Sequence, residues 1–224
     1  MATKKNDKQA LQQERIEETV SKTEQFYNEN KKTIWGCIIA AAVIALGVLA
    51  YNQFYLKPKK AEAQEQTYPA EAAFREGNFE LALNGDGNNL GFADIIDQYG
   101  SKAGQAVYLY AGICELRLGN NEEALSYLKK YKGKEPILAA RARACEGDAY
   151  VALGDYAAAV RSYKAAVDVA DNVFAAGYLV KQGSAHEALG QKAEALACYR
   201  RVEQDYPQSI EAYEIAKNIA RVSE

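Results

Sequence analysis

Three stretches of this 224-residue chain repeat the same landmarks, first 35 and then 36 residues apart. They are YLYAGICELRLGNNEEALSYLKKYKGKEP from Tyr108, RACEGDAYVALGDYAAAVRSYKAAVDVAD from Arg143 and LVKQGSAHEALGQKAEALACYRRVEQDYP from Leu179. Each carries an early glycine (Gly112, Gly147, Gly183), then a second (Gly119, Gly154, Gly190), then an alanine (Ala124, Ala159, Ala195). Leu128, Tyr163 and Tyr199 follow in the same register. Pro136 and Pro207 close the first and third units, and Asp171 stands in that place in the second. A self-similar period of this length implies one supersecondary unit per repeat, each burying its apolar face only by stacking on its neighbours.

The landmarks have physical reasons. An early glycine lets two helices pack closely. A second glycine turns the chain out of the first helix at low steric cost. The alanine faces that first helix at short range, and the large residue after it is expected to fill the gap to the next unit. Proline ends the second helix because it cannot extend the hydrogen-bond ladder. The pattern resembles the tetratricopeptide repeat, a helix–turn–helix unit. Tyr108 stands where that motif prefers tryptophan, and Arg143 and Leu179 depart from it. A degenerate unit precedes the three: YPAEAAFREGNFELALNG holds Gly77, Phe79 and Ala82 at the turn-to-second-helix spacing. NGDGNNLG then interrupts it as a loop, and FADIIDQYG reads as a further helix. The end of the chain, SIEAYEIAKNIARV, reads as one helix with Ser209 as N-cap and Ile210, Tyr213, Ile215 and Ile219 on its apolar face.

One segment lies outside this scheme. Thr33 to Leu56 is 24 residues without a charge, flanked by Lys31-Lys32 and Lys57. As a helix it would extend about 36 Å, enough for a hydrocarbon layer of about 30 Å. It lacks the polar stripe of a core helix. Trp35, Tyr51 and Tyr55 lie near its ends, as membrane-interface anchors do. The 32 residues before it carry seven bases and six acids, unlike the short basic start of a cleaved signal. The reading is an uncleaved membrane helix. Flanking lysines are nearly balanced, so the side of the membrane follows from the simplest insertion route: short tail in the cytoplasm, large C-terminal part exported. The tail itself reads as a partly helical lead into the membrane, or as a small docking helix.

The fold class is therefore all-α, a transmembrane helix followed by a repeat solenoid with a C-terminal capping helix. Its parts are a charged tail (1–32), the membrane helix (33–56), a linker with the degenerate repeat (57–103), three repeats (104–207) and the cap (208–224). Residues 57–224 hold 20 bases and 24 acids, with no dense basic block. Nucleic acid is not the expected partner. Cys114, Cys145 and Cys198 have no CxxC spacing and read as small core residues, although a bridge between two of them stays open.

Chemistry-bearing constellations are few. The only histidine, His186, sits at a packing position of the third repeat. NGDGNNLG lacks the Lys-Ser/Thr of a phosphate loop, and Asp86 with its asparagines lacks the spacing of a calcium loop. No catalytic activity, cofactor, metal or small-molecule substrate is expected. Instead, the register of the first helices points Leu109, Ile113, Leu116, Arg141, Asp148, Val151, Val180, Ser184 and Glu187 onto a concave surface. That set forms a candidate protein-binding groove, or in part packs against adjacent helices. It lacks the Lys/Asn-rich pattern that clamps a C-terminal carboxylate.

The anchor, together with GNFELALNGDGNNLGFADIIDQYGSKAGQ and AVYLYAGICELRLGNNEEAL, resembles a bacterial envelope family. These are single-span tetratricopeptide proteins similar to the ancillary subunit of the SecYEG translocon, and the connector is most similar to that of Bacteroidetes-like homologues. The resemblance implies an inner-membrane protein with periplasmic repeats. It further implies two partners, the translocon and a membrane-anchored chaperone of the peptidyl-prolyl isomerase type. Scaffolding of outer-envelope assembly or cell division, and self-association through the Tyr-rich surface, are the alternative readings.

Overall fold

The computed structural model describes the backbone of residues 3–223, with side chains described at residue 24 and from residue 26 to 223. Every regular element among them is helical. The chain divides into two units, Met1–Pro58 and Lys59–Glu224.

The first unit is essentially one helix, α1 (Thr3–Tyr51), ended by a π-helical turn at Asn52–Leu56. The uncharged run occupies the end of α1 and that turn. None of its most apolar stretch is buried. It is long and apolar enough to cross a membrane. Trp35, Tyr51 and Tyr55 are all exposed. The Trp35 indole N–H donates to the Tyr27 hydroxyl at 3.2 Å. Tyr51 and Tyr55, one turn apart, stack with centroids 5.1 Å apart. The anchor residues thus stand at the two ends of the run. The expected tail residues 1–23 have side chains outside the described set.

The second unit stacks helix pairs. α2 (Lys57–Arg75) and α3 (Phe79–Asn84) form the degenerate repeat, and α4 (Phe92–Tyr99) is the extra helix. The three full repeats are α5 (Ala106–Leu118) with α6 (Asn121–Leu128), α7 (Pro136–Ala152) with α8 (Tyr156–Val169), and α9 (Ala175–Ala188) with α10 (Lys192–Asp205). α11 (Ile215–Ser223) follows.

The turn inside each pair is built the same way, the degenerate one included. Gly77, Gly119, Gly154 and Gly190 all have positive φ, between 73° and 89°. The following amide reaches back to the helix: Asn78 N–H to Ala73 O, Asn120 to Glu115, Asp155 to Tyr150 and Gln191 to His186, each at 2.9 Å. This is the glycine-ended helix terminus, in which a left-handed residue lets orphan carbonyls find donors. Five residues after each glycine stands an alanine without exposed surface: Ala82, Ala124, Ala159 and Ala195. The core runs along the stack as successive clusters shared between neighbouring pairs. At the N-terminal end, α4 inserts fully buried Phe92 against Phe74 and Tyr110, with ring centroids 6.1 and 5.6 Å away.

The early glycines carry the closest contacts. A Cβ on Gly147 would stand 2.5 Å from the Tyr163 ring, one on Gly183 would stand 2.4 Å from the Tyr199 ring, and one on Gly112 would stand 2.6 Å from Leu128 Cγ. The large residue of the second helix therefore lies over the glycine of its own unit. That corrects the expectation that it fills the gap to the next one.

Two boundaries also differ from expectation. Pro136 does not end the second helix of the first repeat, since α6 stops at Leu128. It is the first residue of α7, where its missing N–H costs nothing. Glu135 caps that end, accepting from the amides of Ile137 and Leu138 at 3.1 and 2.7 Å. The C-terminal segment is not one helix. Ser209 does cap, its hydroxyl accepting from Ala212 N–H at 3.2 Å. Glu211–Tyr213 then forms a 3₁₀ turn before α11 starts. A 3₁₀ turn advances side chains by a different angle from an α-helix, so Ile210 and Tyr213 point outward, 84% and 83% exposed. Ile215 and Val222 are buried.

Candidate functional site

The first helices of the repeats enclose a groove in two chambers. The larger, of about 450 Å³, lies among α5, α7 and α9 and is lined by Ile113, Leu116, Arg117, Asn121, Arg141, Cys145, Asp148, Tyr178 and Lys181, with Ala144 and Ala152. The smaller, of about 240 Å³, is lined by Asp148, Val151, Tyr156, Tyr163, Val180, Lys181, Ser184 and Ala185. Asp148 and Lys181 belong to both, so the two chambers meet at that pair.

Seven of the nine residues read from the register therefore line the groove. Ile113, Leu116, Arg141 and Asp148 line the larger chamber; Asp148, Val151, Val180 and Ser184 line the smaller. Leu109 does not. It is fully buried with Leu128 and Ala124 in the core of the first repeat, because its turn of α5 faces α6 rather than the concave side. Glu187 lies outside both chambers and is engaged by the cap, its carboxylate accepting from the Arg221 guanidinium at 2.7 and 2.8 Å. Arg117, Asn121, Tyr178 and Lys181 are lining residues that the register misses. Arg117 and Lys181 adjoin the counted Leu116 and Val180, Tyr178 stands two residues before Val180, and Asn121 comes from the start of α6.

At the waist of the groove Lys181 Nζ meets both carboxylate oxygens of Asp148, at 2.7 and 2.8 Å. The Tyr163 hydroxyl donates to the same carboxylate at 2.7 Å. Burial first, and the Asp148 charge second, push the Tyr163 hydroxyl well above the ordinary phenol range, so it remains a donor. A second bridge of this form stands one unit on. Tyr199 donates to Glu187, and Arg221 of α11 closes it. Chiefly the Arg221 hydrogen bonds, against a smaller effect of burial, hold the Glu187 carboxyl below its usual range. Tyr206 donates to Asp171, the residue that replaces proline in the second unit. Burial and that carboxylate push Tyr206 up to about 12.

Other chemical groups are used locally. Asp86 accepts from the amides of Asn88 and Asn89 at 2.9 and 2.7 Å, and these bonds hold its carboxyl below the usual range. His186 Nδ1 lies 2.7 Å from Gln191 Oε1 across its own turn. Burial pushes the thiols of Cys114, Cys145 and Cys198 up to about 12, 11 and 11. Among the described residues no cluster of His, Cys, Asp and Glu could hold a metal ion.

Comparison with known proteins fits this architecture. No curated protein matches the chain. The crystal structure of MamA protein superposes on 74% of this chain and 86% of its own, with a TM-score of 0.53 at 18% identity, a likeness of fold. The tetratricopeptide repeat signature matches residues 106–136 and again residues 146–210. The recurring turns, the buried alanines and these matches agree: the chain is an all-α protein carrying tetratricopeptide repeats.

Proposed function

We propose that this chain is a membrane-anchored scaffold for protein–protein interaction in the bacterial envelope, acting as an accessory subunit of the SecYEG translocon that holds a periplasmic chaperone near emerging chains. The repeats make it a protein-binding module. The observation that carries the anchored part is the unburied apolar stretch of α1 with aromatic residues at both ends. The N-terminus stands in the cytoplasm and the repeat domain in the periplasm. The partners are the translocon and a membrane-anchored chaperone of the peptidyl-prolyl isomerase type. No catalytic activity is assigned.

Crosslinking a tagged full-length chain in intact membranes, then purifying it in mild detergent, is expected to recover translocon subunits. Their absence overturns the reading, and recovery of outer-envelope or division proteins instead favours the alternative scaffold. Self-association has its own motivation in the exposed apolar side chains of Val173, Phe174, Ile210 and Tyr213. Light scattering of the full chain in micelles tests it. Topology needs an introduced probe, because the native thiols of the repeat domain are buried. Lys164→Cys, on an exposed position, is expected to react with an impermeant maleimide in cells with a permeable outer membrane.

A further inference from the structure

A separate pocket of about 220 Å³ lies between α7 and α8 and shares no residue with either chamber of the groove. Arg143, Glu146 and Tyr150 reach it from one face of α7, and Arg161 and Ser162 from α8. Ala158 and Ala165 line it too and leave it room. The second repeat alone is polar here. At the corresponding places the third repeat carries buried Leu179 and Cys198, with Gln182 and Ala197 where Glu146 and Arg161 stand. The first repeat has Tyr108, Ala111, Ser126 and Tyr127.

Three groups in this pocket have hydrogen-bonding capacity to spare. Ser162 is only 8% exposed, yet its hydroxyl meets no partner among the described residues. No sealed side-chain oxygen or nitrogen among those residues lacks a partner, so the Ser162 oxygen is open to the pocket it lines. Arg161 is exposed and makes no ion pair with a described residue. Arg143 meets both oxygens of Glu146 at 3.0 Å, but through Nη1 alone, which leaves Nη2 and Nε as donors. Lys129 adds positive charge nearby, its Nζ 5.4 Å from the centroid of the Tyr150 ring. Glu146 itself is buried, and each of its oxygens keeps a further lone pair.

We propose that this pocket binds a phosphate group that carries a proton, either free hydrogen phosphate or a phosphomonoester. The guanidinium groups of Arg143 and Arg161 and the Ser162 hydroxyl donate to its oxygens, as planar forks of N–H groups do. The phosphate hydroxyl donates to Glu146. That bond gives a carboxylate a use in an anion site and makes it a selector. Sulfate and phosphodiesters, the form found in phospholipid headgroups, have no such proton at neutral pH and would set an oxygen against the acid. The site stands apart from the protein-binding groove and does not depend on the scaffold reading.

The test is isothermal titration of the full chain in detergent micelles, in chloride buffer at constant ionic strength and neutral pH. The probes are inorganic phosphate, glycerol 3-phosphate, dimethyl phosphate and sulfate. Phosphate is expected to bind saturably, about tenfold or more tightly than sulfate or dimethyl phosphate. Glycerol 3-phosphate binding as tightly as phosphate supports a phosphomonoester as ligand; its rejection supports free phosphate. Arg161→Gln is expected to lower phosphate affinity about tenfold, and Ser162→Ala about fivefold. Neither change breaks a bond to a described residue, so both variants are expected to melt with the parent. Glu146→Gln is expected to bring sulfate level with phosphate. Arg141→Gln, in the groove, is expected to leave phosphate binding unchanged. Absence of saturable phosphate binding overturns the proposal. So does sulfate or dimethyl phosphate binding as tightly as phosphate to the parent, or full affinity in both Arg161→Gln and Ser162→Ala.

Discussion

The junction between the first and second repeats and the junction between the second and third use the same three places with opposite chemistry. At the second junction Tyr163 lies over Gly147, Asp148 follows that glycine, and Lys181 comes two residues before the next one. The three make one polar bridge. At the first junction the corresponding residues are Leu128, Ile113 and Cys145, and all three are buried in one apolar cluster. The glycine slot is common to both, so the backbone packing is shared and only the side-chain tips differ. A repeat junction can be closed either by excluding water from apolar groups or by satisfying a buried hydroxyl with a paired carboxylate. Beside this apolar junction, Arg117 of α5 and Arg141 of α7 line the larger chamber without an ion pair to a described residue, whereas Arg143 of α7 pairs with Glu146 at 3.0 Å.

The two junctions are expected to respond differently to mutation. Leu128→Ala empties a fully packed site and is expected to cost about 3 kcal/mol in denaturant unfolding. Tyr163→Phe keeps its ring over Gly147 and loses one hydrogen bond, with an expected cost of about 1 kcal/mol. Equal costs would break the distinction. Next in size is the glycine slot. Gly183→Ala and Gly147→Ala drive a Cβ into a rigid ring and are expected to cost about 2 kcal/mol each. Gly112→Ala drives a Cβ against the Cγ of the equally packed Leu128 and is expected to cost about as much. The bridge to the cap is weaker. A double-mutant cycle of Glu187→Gln and Arg221→Gln is expected to give a coupling of about 1 kcal/mol, because the arginine is half exposed.

The smallest effect is in acid. Folding lowers the Glu187 pKa, so its stabilisation is present above the ordinary glutamate range and is lost as pH falls through the depressed folded value. Thermal melts are expected to drop more steeply on acidification for the parent than for Glu187→Gln. Parallel curves would show that the bridge contributes nothing.

Much of this architecture is legible in the sequence because its determinants are local. A glycine at positive φ and an alanine five residues later mark each turn, even in the degenerate unit with Gly77 and Ala82. The groove was legible where the position alone decides the direction of a short side chain, as for Ile113, Val151 and Ser184. Leu109 was misplaced because the register does not say which helix covers a given turn. Glu187 was misplaced because a cation far along the chain claims it. The bridges do leave a trace: their acids and bases are separated by 33 and 34 residues, close to the repeat period. Pro136 was misread because proline stops one helix and starts another equally well, and only the eight-residue length of α6 decides between them. The broken C-terminal helix turns on a 3₁₀ segment whose residues are also good α-helix formers.

The bridge at Arg221 gives the stack a direction. The second and third repeats each hold out an acid toward the element that follows. The second is answered by another repeat and the third by α11, which brings its arginine but contains no acid and no tyrosine of its own. In the terms of a growing polymer, α11 satisfies the open end of the third repeat and offers no acid or tyrosine for a further link of this kind. Removing α11 would take the Arg221 cation from the Glu187 carboxylate and leave it only the Tyr199 hydroxyl.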